Sequence, residues 1–159
     1  MSALRTQARR IVVQTLYSEE FGKDPSQTQE ATLDLSAPKI PQEARDFAEE
    51  LLKGICEQKD DLDKQLSEVS SNWSLDRIHP VERSILRLAL FELNSRPDIP
   101  ARVIINEAID LAHRFGDDDA WRFVNGVLDE MAAIRPIEEM RGFLKGLDPT
   151  FERDEDDRV

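Results

Sequence analysis

The stretch His79-Pro80-Val81-Glu82-Arg83-Ser84-Ile85-Leu86-Arg87-Leu88-Ala89-Leu90-Phe91-Glu92-Leu93 decides how the chain is read. Pro at a first helical position and Glu two residues later are helix-start chemistry, and the helix they open runs to about residue 95. Val81, Ile85, Leu86, Leu88, Ala89, Leu90 and Leu93 make it apolar around much of its circumference. A helix with so little polar face has to be surrounded by others, so it is central.

Outward from it, the pattern stays helical, and no segment alternates with period two for long. Pro97 and Pro100 break the chain before a helix over about 101–115, with Ile104, Ile105, Ala108, Ile109, Ala112 and Phe115 as its stripe and Gly116 as its stop. A sixth helix runs to about 134 on Phe123, Val124, Val127, Leu128 and Met131. Asp117, Asp118 and Asp119 supply its cap and dipole partners. On the N-terminal side lie a helix over about 3–21, a loop over 23–41 and a helix from Pro41 carrying Phe47, Leu51, Leu52 and Ile55. A third helix over about 59–70 carries Leu62, Leu66 and Val69, and 73–78 is a connector. The pattern allows a short last helix at 136–147, and 148–159 reads as an acidic, disordered tail. Residues 1–147 thus form a single all-α domain.

The 159 residues carry a net charge of -12. Global acidity disfavours nucleic acid, whose binding depends on neutralising phosphates. The charge is unevenly placed, however. Residues 1–17 hold Arg5, Arg9 and Arg10 and no acid, while 18–72 hold 14 acids against 6 bases. Arg5 and Arg9 share a helix face, with Gln14 and Tyr17 nearby. Phosphate forks, amides and a stacking ring suit single-stranded RNA. Three phosphate contacts would give a log–log salt slope of only about -2. The chain should therefore bind RNA weakly alone and gain from a basic partner.

Catalytic signatures are missing: there is no P-loop, dinucleotide fingerprint or nucleophile elbow. Two histidines, His79 and His113, and one thiol, Cys56, do not make a zinc site. Cys56 reads as a small buried hydrophobe, and Asn106 and Glu107 as interhelical hydrogen-bonding groups. Gly126, inside the sixth helix, reads as a point of close packing. Trp121 reads as partly exposed beside a groove or as core. No metal, cofactor or enzymatic activity is expected. With no disulfide possible, no apolar run near a membrane span and no signal-peptide core, a cytoplasmic protein is expected.

Four blocks carry a family resemblance. They are Arg9-Arg10-Ile11-Val12-Val13-Gln14-Thr15-Leu16-Tyr17, Val81 through Leu93, Pro100 through Gly116 around Ile105-Asn106-Glu107-Ala108-Ile109, and Phe123-Val124-Asn125-Gly126-Val127-Leu128-Asp129. In order and spacing they resemble the NusB family of bacterial transcription antitermination factors. The resemblance implies a NusB-like helical bundle of two three-helix subdomains. It implies binding to boxA RNA of nascent ribosomal RNA together with NusE, a small-subunit ribosomal protein, and indirect engagement of other Nus factors and RNA polymerase. By the same resemblance, Arg5, Arg9 and Tyr17 fall on an RNA-facing first helix, with Arg10 and Gln14 beside them. Asp119 and Phe123 fall on a second RNA-proximal patch, and Glu82 and Arg87 where the family meets NusE. The family's usual basic head is richer than this one, and Thr6 stands where a basic residue is common. Alternative readings are a helical adaptor without RNA affinity, or an accessory domain of a ribosomal RNA methyltransferase system.

Overall fold

The computed structural model describes residues 3–20, 40–69 and 75–133. Six helices account for nearly all of them: α1 (Ala3–Glu20), α2 (Gln42–Glu57), α3 (Lys59–Val69), α4 (Pro80–Ser95), α5 (Ala101–Phe115) and α6 (Ala120–Ala133). A single 3₁₀ turn, Leu75–Arg77, precedes α4. No strand occurs among the described residues. The expected helix at 136–147, the tail 148–159, Trp73 and most of the 23–41 loop lie outside them.

Local chemistry explains the helix ends. His79 caps α4, its Nδ1 accepting the Val81 N–H at 3.4 Å, and Pro80 occupies the first helical position, where no N–H is needed. Prolines also stand at the start of α2 (Pro41) and α5 (Pro100). Gly116 closes α5 by donating its N–H to the Ala112 carbonyl at 2.9 Å. The aspartate trio sits just before α6 and not in its first turn; Asp117 Oδ1 accepts the Asp119 N–H at 3.1 Å and shapes the entry.

The all-round apolar reading of α4 is what the packing shows. Among the described residues α4 contacts each of the other five helices. Ile85, Leu86, Leu88 and Leu90 are almost wholly buried on it. Away from α4, α1 packs on α2 and α2 on α3 on one side and α5 packs on α6 on the other, while α3 also touches α6 across the two groups. The two three-helix groups therefore meet largely along α4. One continuous hydrophobic cluster runs through both, from Ala8 and Val12 to Val124 and Leu128.

Two expectations about single residues are corrected here. Cys56 is exposed, because it follows Ile55 by about 100° around α2 and Ile55 takes the inward direction. Gly126 is not a close-packing point: a Cβ built there would meet nothing within 4 Å. A glycine inside a helix that does pack closely is Gly54, whose absent Cβ leaves room for the Phe91 ring of α4.

Candidate nucleic-acid interface

Successive residues on a helix point about 100° apart, so neighbouring arginines cannot do the same job. Arg9 turns inward. It is 1% exposed, and its guanidinium forks onto the Glu92 carboxylate of α4. Nε donates to Oε1 at 3.1 Å and to Oε2 at 3.0 Å, and Nη2 donates to Oε1 at 2.8 Å. Glu92 is equally buried. On the α5 side, Glu107 Oε2 lies 3.9 Å from Arg9 Nη1, and Thr6 Oγ1 donates to Glu107 Oε1 at 3.0 Å. Glu107 thus makes the interhelical hydrogen bond its position suggests, whereas Asn106 is exposed.

The phosphate-gripping role expected of Arg9 is therefore corrected. Arg5 and Arg9 do share a face, but it is the one turned to α2. Their guanidiniums sit 5.2 and 5.9 Å from the centroid of the Phe47 ring, with Arg96 5.6 Å from the same centroid. Arg5 remains half-buried there.

The outward face of α1 is carried by Gln7, Arg10, Gln14 and Tyr17, which fall within about 60° of Arg10's direction. All four are half-buried, and Tyr17 rests its ring on the core. Arg10 takes part in no ion pair among the described residues. One cation, two amides and a phenol ring stand in a row about 15 Å long, at about 1.5 Å rise per residue.

The second expected patch lies at the start of α6. Asp119 is exposed, and Phe123, one turn on, is half-buried against the core. Beside them is a feature that motif reading missed. The His113 ring stacks on Trp121 at 5.6 Å between centroids and 27° between planes, and the Arg122 guanidinium lies 5.3 Å from the Trp121 centroid. His113 and Trp121 are eight residues apart in sequence and on different helices, so only the α5–α6 corner brings them together.

The two residues expected to meet NusE do not share a surface. Arg87 is buried, donating to Asp63 of α3 and Glu20 of α1, and its place in a partner interface is corrected accordingly. Burial opposes its charge, but Asp63 and Glu20 together hold its pKa above the ordinary arginine value. Glu82 lies five residues earlier, half-buried at the start of α4. Burial raises its carboxyl pKa, the negative charge of Asp117 raises it further, and His79 opposes both.

The NusB family profile matches residues 6–133. The transcription antitermination protein NusB of Geotalea uraniireducens is 41% identical over 142 residues, covering 85% of this chain and 98% of the relative. That of Bacillus pumilus is 45% identical over 128 residues, covering 80% and 93%. Among solved structures, T. maritima NusB superposes with a TM-score of 0.71 at 35% identity, covering 89% of this chain and 99% of that one. A chain from a crystal structure of the antitermination factors NusB and NusE with double-stranded RNA gives 0.69 at 25% identity, covering 84% and 98%. With a family match running from the first helix to the last described one, and relatives near 40% identity over most of their length, the chain belongs to the NusB family.

Proposed function

We propose that this chain is a transcription antitermination factor that binds boxA-type RNA of nascent ribosomal RNA transcripts together with NusE, and so suppresses termination by RNA polymerase. The observation that carries the reading is the outward row Gln7–Arg10–Gln14–Tyr17 on α1, in a chain whose family includes a NusB bound to NusE and RNA. Arg10 supplies the phosphate contact, Gln14 the amide, and Tyr17 a ring edge or face for a base. Phe123, with Asp119 beside it, extends the path onto α6. With Arg9 withdrawn, about one or two phosphate contacts remain, and the expected salt slope falls from about -2 to about -1.

Such a slope means weak binding to RNA alone. The net charge of -12 supports a basic protein partner, which would meet an acidic surface and share the RNA. Glu82 remains available to that surface, whereas Arg87 supports it from within. The protein acts by binding and not as an enzyme, as one domain over 1–147 with an acidic tail, and works in the cytoplasm. No helix among the described residues is long and apolar enough to cross a membrane.

Fluorescence anisotropy with boxA RNA, with and without NusE, tests this. The expected result is at least tenfold tighter binding with NusE present. Intact NusE binding with no gain in RNA affinity would move the chain to a helical adaptor.

A further inference from the structure

We propose that Arg9 is a positioning residue: its buried fork onto Glu92 sets the rotation of α1 and thereby decides that Arg10 faces the RNA. The inference deepens the reading above and rests on it. Arg9 and Arg10 are chemically identical and adjacent, so nothing in their side chains chooses which one goes inside. The choice is made by what waits on the other helices. Glu92 of α4 takes a three-contact fork, Glu107 of α5 stands 3.9 Å from Nη1, and Phe47 of α2 lies against the guanidinium. One side chain of α1 therefore reaches three other helices.

Thr6, one turn earlier, adds a second pin to Glu107. Two pins a turn apart on the same helix oppose both rotation and sliding. A rotation of about 100° would carry Arg10 into the pocket and turn the Gln7–Gln14–Tyr17 row away. It would also break the Thr6–Glu107 hydrogen bond and turn the buried Ala8, Ile11 and Val12 away from the core. The pair thus holds α1 in this rotation by filling the pocket between the helices, and a well-packed apolar filling of the same pocket can do the same, since such replacements of a buried ion pair often fold as well as the original.

Three variants test this, read by RNA affinity in the presence of NusE, by salt dependence and by hydrogen exchange across residues 6–17. The double variant Arg9→Met/Glu92→Met fills the pocket without charge and should bind RNA within threefold of the parent, with the same salt slope. Arg9→Lys keeps the charge but loses the fork. It should exchange faster along α1 and bind RNA at least fivefold more weakly. This inversion, with the conservative change worse than the radical one, is what a positioning role produces and a phosphate contact does not. Arg10→Gln should leave exchange unchanged, lose at least fivefold in affinity and flatten the salt slope by about 0.7. A folded double variant tenfold weaker than the parent, with a flattened slope, would show that Arg9 itself touches RNA and overturn the proposal. If the double variant does not fold, Arg10→Gln decides alone: no loss of affinity overturns the proposal. A parent chain that shows no RNA binding with NusE overturns the functional reading instead, and the exchange data still report whether Arg9 holds α1.

Discussion

Arg87 of α4 and Asp63 of α3 face each other as two parallel hydrogen bonds, Nε to Oδ1 at 2.7 Å and Nη2 to Oδ2 at 3.1 Å. The remaining Nη1 donates to Glu20 of α1 at 2.5 Å, and Glu20 also accepts from Arg83 Nε at 2.8 Å and Nη2 at 2.5 Å. Four charged residues tie α1, α3 and α4 together at the edge of the core. Arg83 extends the tie by donating from Nη1 to the Leu75 carbonyl at 2.8 Å, which holds the 3₁₀ turn.

Removing the hub should destabilise the fold. Arg87→Ala leaves Asp63 and Glu20 facing a cavity, with Arg83 still paired to Glu20. The expected loss is roughly 2–4 kcal/mol, below the ~3–5 of a fully buried pair because Asp63 reaches water. At about 2–4 °C per kcal/mol for a chain of this size, thermal melts should show a drop of about 4–16 °C.

Two carboxylates should move stability with pH in opposite directions. Burial alone would raise the Glu20 carboxyl, but Arg83 and Arg87 outweigh it and hold the pKa below the ordinary value. Its contribution is present above the unfolded carboxylate pKa of about 4.3 and is lost as pH falls through the lower folded value. Glu20→Gln should therefore lower the melting temperature at neutral pH and flatten the acid limb of the stability curve. Glu82 is raised by burial and by Asp117. The folded state holds its proton more tightly, so stability falls as pH rises through that window. Glu82→Gln should gain a few tenths of a kcal/mol at neutral pH, since water screens much of the repulsion. The gain should vanish below about pH 4. Melts of both variants from pH 3.5 to 7.5 check the signs.

Two glycines inside helices should respond oppositely to alanine. Gly126 opens onto empty space, so Gly126→Ala should gain about 0.5–1 kcal/mol of helix propensity. Gly54→Ala drives a methyl into the Phe91 ring, which is 7% exposed and has little freedom to move. An overpacking loss of about 1–3 kcal/mol is expected. Urea titrations of the two variants should shift their midpoints in opposite directions.

Cys56 is exposed on α2. A thiol reagent should label it fully in the native state, at a rate insensitive to low urea. Cys56→Ser should change stability by less than about 0.5 kcal/mol. Labelling that waits for unfolding would contradict the exposed position.

The sequence by itself determined the helices, their order and the central place of α4, because a 3.6-residue period, prolines and caps act over one or two turns. It also located the basic stretch of residues 1–17 that opens the first helix without an acid, and its family resemblance matched the known relatives. It could not say which arginine of an adjacent pair points outward. That depends on Glu92 and Glu107, 83 and 98 residues away, and on the rotation of α1 against α4 and α5. For the same reason Arg87 was placed by resemblance at the NusE contact although Glu20 and Asp63 surround it, Gly126 read as a packing point and Gly54 did not, and His113 was not paired with Trp121. Local periodicity specifies a face; only tertiary packing decides what that face meets, because burial and ion pairing are set by residues distant in sequence.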